Sequence, residues 1–509
     1  MSQSISKKKR KFKFPSAFTV LFIVLIFASF LTYVIPAGLY DKLQYNPDNT
    51  FTITRTDGQK ETLKATQEVL KKNHIEVPLK NFTDGSIKKP IAIPNSYKKI
   101  KQSPQGPLAV LYAPIQGVSE SVDIIIFVLI MGGIVGLLNK TGTFNAGMSA
   151  LSKKTKGREF LMIAIIFFLI ALGGTTFGLA EETIALYPIL LPVFIATGYD
   201  AMVVIATLYL GSSVGTMFST VNPFSVVIAS NAAGISFSDG QIFRLIGLIL
   251  SSIITIWYIR RYANMVKNDP SKSIVAEDMP RIKERFLSDY DPDNVPDFTI
   301  KMKISLTIFI LAFVVMIWGV QSQGWWFTEM SALFLAVAII IMFLSGFDES
   351  KAISVFIQGA SELVGVALII GVARGTNIIL DNGFVSDSLL HYASNLINGM
   401  SGTVFAWVQM AIFSVLGIFI PSSSGLATLS MPIMAPLADT VHVGRDVVVS
   451  AYNFGQGWMS YITPAGLIIA TLEMVGVTYD KWLKWVIKLL GMTIVLALII
   501  LSIQTMFSH

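Results

Sequence analysis

The 39 residues from Phe160 to Gly198 constrain this chain more than any other stretch. They hold only two charged side chains, Glu181 and Glu182, side by side in the segment GLAEET with long apolar runs on either side. One helix needs about 20 apolar residues to cross a bilayer, so the run is roughly twice a single crossing. Ionisable groups at bilayer depth cost free energy wherever lipid surrounds them. The run therefore predicts a re-entrant hairpin: two half-helices and a tip at TTFGLAEET (175–183), buried in protein or lining a watery cavity.

The remaining sequence extends the same argument. Of 509 residues, 53% are hydrophobic and 14% charged, against about 25% charged in a soluble chain. Apolar runs near helix-crossing length recur, so the fold class is an all-α polytopic membrane protein. Cysteine is absent, which excludes disulfides and thiol or zinc-thiolate chemistry. The four histidines (His74, His391, His442, His509) form no metal-binding pattern. No enzyme chemistry and no cofactor is expected. The net charge of +7 sits in blocks beside apolar runs: Lys7 to Lys13, then Lys153, Lys154, Lys156 and Arg158, then Arg260 to Arg285. That is the positive-inside pattern, not a nucleic-acid surface.

The basic N-terminus, residues 1–14, is expected in the cytoplasm. An uncleaved first helix follows at about 16–36, longer than the apolar core of a signal peptide. Residues 40–105 read as an extracytoplasmic insertion without a recognisable motif. Helices are expected near 122–139, 201–232, 241–259 (ending on Arg260 and Arg261), 303–320, 329–346, 363–380, 446–475 and 486–505, from the apolar pattern. Residues 263–302 form a cytoplasmic linker, and 381–400 a loop. A second hairpin spans 401–441 with its tip at PSSSGLATLS (421–430). The C-terminus falls on the extracytoplasmic side, and Arg445 is the one basic residue that breaks the charge rule there.

Two halves of the chain resemble each other. IQGVSE (115–120) matches IQGASE (357–362), KTGTF (140–144) matches DNGFV (381–385), and GLA (178–180) matches GLA (425–427). PILLP (188–192) matches PIMAP (432–436), GYD (198–200) matches GRD (444–446), and STVNPFSVVIAS (219–230) matches SYITPAGLIIAT (460–471). The six matches keep one order, at offsets of 241 to 247. Residues 15–262 form the first repeat and 321–509 the second, joined by the linker and the helix 303–320. An odd number of crossings separates them, so the second repeat is inverted. Inverted repeats meeting at discontinuous helices mark a secondary transporter with a site near the midplane.

Each repeat has a hairpin tip and a helix break, the breaks being GSSVGTMFSTVNP (211–223) and NFGQGWMSYITP (453–464). Small residues there also suit close helix packing, but four such clusters at matching places favour a site. Thr175, Thr176, Glu181, Glu182, Asn222, Ser422, Ser423, Ser424, Asn453 and Thr463 are the candidate substrate ligands. Ser219, Asn222, Ser460 and Thr463, beside Pro223 and Pro464, offer oxygen ligands for a coupling Na⁺, with H⁺ as the other choice. Half-helix N-termini suit a carboxylate, and the acidic tip suits a cation, so a cationic amino acid fits both ends. Neighbouring residues on a helix point about 100° apart; one glutamate then meets the substrate while the other carries a proton or pairs with Arg374. Glutamates also cap half-helices, which is the structural alternative. Arg374, mid-helix, suits a counter-ion or a carboxylate ligand equally. Asp123 is placed at the outer end of its helix, an interfacial position.

The segments KFPSAFTVLFIVLIFASFLTYVIPAG, GGTTFGLAEETIALYPILLP and PSSSGLATLSMPIMAPLAD resemble the YfcC-like branch of the C4-dicarboxylate anaerobic carriers, within the ion transporter superfamily. Streptococcal arginine–ornithine antiporters are especially similar. The resemblance implies two inverted repeats, two re-entrant hairpins, a homodimeric scaffold and an elevator-like moving domain in a bacterial cell membrane. The family's dicarboxylate name conflicts with the acidic tip, and the residues favour basic amino acids. A Na⁺- or H⁺-coupled dicarboxylate or small-peptide carrier is the second reading, and an ion channel the third.

Overall fold

A computed structural model describes residues 15–508 apart from 86, 88, 148–149, 151–157, 288–296, 324, 397–399 and 401. The basic N-terminus and Lys153, Lys154 and Lys156 lie outside the described residues. Among the described residues nine helices are long and apolar enough to cross a membrane.

Helix α1 (Ala17–Val34) is capped by Ser16 and exposes Phe22, Ile23, Ile26 and Phe27, as a lipid-facing helix does. The polar insertion after it is a small β-domain. Strands β2 (Lys42–Asn46), β3 (Thr50–Thr54), β4 (Lys60–Lys64) and β5 (Ile91–Ala92) form an antiparallel sheet in the order β4-β3-β2-β5. Strand β1 (Gly38–Leu39) pairs with β6 (Lys98–Lys99). In β3, Phe51 and Ile53 are buried while the threonines beside them are not, the period-two pattern of a half-buried strand. Short helices α2 (Gln67–Lys72) and α3 (Lys80–Thr83) complete the domain, and Phe82 packs edge-on against Phe51 at 5.2 Å. TFTIT between the turn residues NPDN and TDGQ was the available strand signal. The all-helical reading holds for the membrane body and not for this insertion.

Helices α4 (Pro107–Glu120) and α5 (Val122–Lys140) make one kinked rod with a nick at Ser121. The helix expected at 122–139 is α5, and α4 precedes it as a helix that was not expected. Asp123 lies in the first turn of α5, at the end of that helix as expected, but α4 before it puts the residue midway along the rod. The spacing Val110, Ala113, Gly117 buries one face of α4, the pattern of a helix packed against a neighbour.

The first long run forms α6 (Glu159–Thr176), a tip, and α7 (Tyr187–Ala196). Both of its ends reach Lys267: the ammonium pairs with Glu159 at 3.3 Å and lies over the Tyr199 ring at 5.3 Å. The run therefore enters and leaves on one face. Helix α8 (Ala201–Met217) is capped by Asp200, the chain is non-helical over 218–222, and α9 (Ile228–Ala233) follows a π-turn at Pro223–Val227.

Helix α10 (Gln241–Asn268) continues past Arg260 and Arg261, where it was expected to stop. Tyr262, Ala263 and Val266 are buried on its extension, so packing prolongs it. The linker carries α11 (Met279–Leu287), whose Arg281 donates to the Gly476 carbonyl at 2.6 Å. We call this the linker face and the opposite one the sheet face.

Helices α12 (Ile300–Gln323) and α13 (Phe327–Ser345) precede a second kinked rod, α14 (Glu349–Ser361) and α15 (Val364–Asn382). The two rods cross through glycines. A Cβ on Gly117 would lie 2.1 Å from the Gly371 carbonyl oxygen and 2.8 Å from the Gly375 nitrogen. A Cβ on Gly359 would lie 2.4 Å from the Gly132 carbonyl oxygen and 2.8 Å from the Gly136 Cα. Each rod offers one glycine to a G-x-x-x-G pair of the other, the small-residue contact that lets membrane helices approach closely.

The expected loop 381–400 contains α16 (Ser386–Leu396), an amphipathic helix on which the β-domain rests. Tyr40 N–H donates to the Asp387 carboxylate at 2.9 Å, and Tyr97 stacks on His391 at 3.8 Å. Burial raises the Asp387 carboxyl above its usual range, opposed by Lys42.

The second long run forms α17 (Gly402–Phe419) and α18 (Ser423–Thr440). Trp407 near its start bonds Ser502, and Asp439 near its end pairs with Arg445, which also holds Glu76 of the β-domain. Both ends lie on the sheet face, opposite to the first run. Those two carboxylates also account for Arg445, the outlier of the charge rule. Helix α19 (Arg445–Ser460), a break over 461–466 and α20 (Leu467–Val475) cross to the linker face. Helix α21 (Tyr479–Phe507) returns, and Ser508 bonds Asp446 on the sheet face. It is seven residues longer at its start than the expected 486–505.

Candidate functional site

The first tip is built around one overused carbonyl. Gly173 oxygen accepts from the amides of Phe177 (3.0 Å), Gly178 (3.1 Å) and Leu179 (3.2 Å), which ends α6. Gly178 sits at φ +77°, where a Cβ would also meet Phe224 at 2.8 Å and Asn222 Oδ1 at 3.1 Å; only glycine takes this geometry without strain. Leu179 and Ala180 then run non-helical into a 3₁₀ turn at Glu181–Leu186.

The two glutamates do different things there. Glu182 folds back and accepts the Ala180 amide at 3.0 Å, closing its own turn. Glu181 is half-buried and forms no ion pair among the described residues. It lies within electrostatic reach of Asp123 as well as of Glu182. The kink in the α4–α5 rod brings Asp123 there, since the turn at 181–186 packs against α5. Three carboxylates thus face one region without a paired cation among the described residues. Sequence reasoning gave Asp123 an interfacial place because it did not see α4.

Arg374 does not pair with either tip glutamate. Its Nε bonds Glu120 Oε2 at 3.1 Å, across the crossing of the two rods. Glu120 was passed over in the sequence, although it closes the matched word IQGVSE.

The first break is tied to the first tip. Asn222 is buried; its Nδ2 donates to the Gly174 carbonyl at 2.9 Å and its Oδ1 accepts the Phe224 amide at 2.8 Å. Thr175 Oγ1 accepts the Thr220 amide at 2.9 Å. Thr176 turns back to the Leu172 carbonyl at 2.5 Å. Ser212 on α8 donates to the Leu179 carbonyl.

The first break and α8 meet α19, the helix that leads into the second break. Ser219 donates to Asn453 Oδ1 at 3.3 Å, and the buried Asn453 Nδ2 has no partner among the described residues. Tyr209 donates to the Ser460 carbonyl at 2.6 Å, and Phe218 packs on Phe454 at 4.7 Å. The Ser460 and Thr463 hydroxyls donate to the Gly457 and Met459 carbonyls at 2.6 and 2.9 Å. Those bonds lie within the broken helix, so both hydroxyl oxygens keep acceptor capacity.

The second tip is simpler. Ser422 caps α18 by accepting the Gly425 amide at 3.2 Å, and the Ser423 carbonyl accepts from Tyr452 at 2.6 Å. Ser424 accepts from Lys89 of the β-domain at 2.8 Å, a contact that no local pattern announces.

A cavity of about 190 Å³ opens between the rods and the first hairpin on the linker face. Gly132, Asn139, Pro188, Arg285, Gln358 and Glu362 are among its lining. It places Glu362, the residue matched to Glu120, beside the returning arm of the hairpin.

The sequence profile of DcuC, the C4-dicarboxylate anaerobic carrier family, matches residues 14–506. An uncharacterised Haemophilus influenzae protein is 49% identical over 500 residues, 98% of each chain. The Escherichia coli (strain K12) protein named "Putative basic amino acid antiporter YfcC" is 30% identical over 535 residues, 99% of each chain. The solved Neisseria gonorrhoeae MtrF structure, from a class of antimetabolite efflux pumps, aligns over 96% of this chain and 95% of that one. The two chains are 14% identical, with a TM-score of 0.40.

Proposed function

The chain belongs to the C4-dicarboxylate anaerobic carrier family and is a membrane transporter, and on that premise we propose that its substrate is a basic amino acid. The carrying observation is the set of carboxylates Asp123, Glu181 and Glu182, which lacks a paired cation among the described residues. Burying unpaired charge is costly, and a guanidinium or ammonium entering the site offsets that cost. A dicarboxylate would add to it. The name of the Escherichia coli relative agrees with this choice.

In this reading Glu181 takes the substrate cation and Glu182 holds the tip in shape. The hairpins, with α8–α9 and α19–α20, slide as one body against a scaffold of the two kinked rods, α12 and α13. The opposed entry faces of the hairpins, and the reciprocal glycine crossings, support two inverted repeats. The positive-inside pattern puts the linker face in the cytoplasm of a bacterial cell, with the sheet face and C-terminus outside. A homodimeric scaffold in the bilayer, and Na⁺ or H⁺ at Ser219, Asn222, Ser460 and Thr463, complete the proposal.

The test is uptake by reconstituted protein loaded with arginine, ornithine, lysine or succinate. Exchange of the basic amino acids, lost in Glu181→Gln, is the expected result. Uptake of succinate alone would replace this reading with a dicarboxylate carrier.

A further inference from the structure

The β-domain has no part in the mechanism above, yet one of its side chains reaches a hairpin tip. Lys89 Nζ lies 2.8 Å from Ser424 Oγ, in the first turn of α18. Described residues near it in the chain are packed: Ile87 is buried with its amide on the Asn81 carbonyl at 2.8 Å, and Ile91 is buried in β5. The domain itself is fixed to α16 through Tyr40, Tyr97 and Lys42. Lys89 is therefore placed, not loosely tethered.

Its ammonium bonds a neutral hydroxyl, and no carboxylate lies within ion-pair distance of it among the described residues. It lies within electrostatic reach of a second cation, Arg374, which Glu120 already occupies. A lysine ammonium carries three donors, so two remain for a ligand. An unpaired ammonium, a hydroxyl and the start of an 18-residue helix converge there. Together they recognise a carboxylate.

We infer that Lys89 is a substrate-recognition residue, supplied by the β-domain, that binds the substrate's carboxylate when the site opens to the sheet face. The inference rests on the proposed function for the identity of the substrate and not for the chemistry of Lys89. It gives the insertion a purpose: the domain docked on α16 reads one end of the substrate at the second tip, while Asp123 and Glu181 read the other. Movement of the second hairpin must break the Lys89–Ser424 contact, so Lys89 acts from one side of the membrane only.

The experiment uses full-length protein in liposomes of defined orientation. External KM is compared for arginine and for agmatine, which is arginine without its carboxylate. Lys89→Met is expected to raise the arginine KM about tenfold and leave agmatine within about twofold, the scale of one charge-assisted hydrogen bond. Lys89→Arg should restore arginine to within about threefold. Transport from the linker face should not change. Equal effects on arginine and agmatine, or none on either, overturn the inference.

If the wild type moves succinate and neither amine, the proposed function fails, and Lys89→Met must still raise the succinate KM. If no flux is found, the cysteine-free sequence offers another readout. Lys89→Cys should react with an impermeant maleimide added on the sheet face, with protection by arginine or succinate and none by agmatine. Labelling without protection by either carboxylate overturns the inference.

Discussion

The two hairpin tips share the triplet Gly-Leu-Ala and use it in different ways. In the first, Gly178 is left-handed and Leu179 and Ala180 are non-helical, so the chain turns before a 3₁₀ segment. In the second, Gly425, Leu426 and Ala427 lie in the first turns of α18. Each tip nevertheless has a carbonyl held by a hydroxyl from the broken helix beside it, Leu179 by Ser212 on α8 and Ser423 by Tyr452 on α19. Similar anchoring with different local geometry separates the chemistry. The first tip exposes a carboxylate to the interior, and the second exposes hydroxyls and amides.

The comparison is sharpened most by the glutamates. Glu181→Gln should lower exchange of basic amino acids by about 30-fold or more, as for loss of a buried charge partner. Glu182→Gln should lower it less while reducing the melting temperature, because its Ala180 bond shapes the tip. Equal activity losses with unchanged melting would remove the division of labour.

Gly178→Ala is the next largest effect. The left-handed backbone costs an alanine about 1–2 kcal/mol, and its Cβ would press on Phe224 at 2.8 Å. Thermal unfolding in detergent should register this as a clear loss.

Ser212→Ala and Tyr452→Phe each remove one bond to a tip carbonyl, expected to cost about 1 kcal/mol apiece. Matching drops in melting temperature would support equivalent anchors; a drop in one alone would break the parallel. Gly425→Ala should have the smallest effect. A helical alanine gains about 0.5–1 kcal/mol over glycine, offset by a tight 3.1 Å approach to Ser422 Oγ.

Much of this arrangement was legible before any coordinates. Runs of apolar residues gave the crossings, since lipid forces each backbone group to be satisfied within a helix. Glycine, serine and proline clusters put the breaks at 211–223 and 453–464; the chain is non-helical only over 218–222 and 461–466, because α8 runs through Met217 and α19 through Ser460. Helices α4, α14 and α16 are amphipathic and not uniformly apolar, so no long apolar run marks them. Helices α10 and α21 run beyond their apolar stretches because tertiary packing buries Tyr262, Val266 and Trp482. The β-domain was missed because a short alternating strand is a weak signal beside long helices.

The sequence by itself determined a membrane protein with two hairpins and two broken helices. It also marked Glu181 and Glu182 as charges that lipid could not tolerate. These follow from the local cost of placing polar groups in hydrocarbon, which any stretch of chain reveals on its own. Only the tertiary structure decided which charges share a space. Asp123 joins Glu181, Arg374 goes to Glu120, and Lys89 reaches Ser424 from 335 residues away. Such partnerships depend on how rods cross and domains dock, and pairwise electrostatics depends on distance in space and not on separation along the chain.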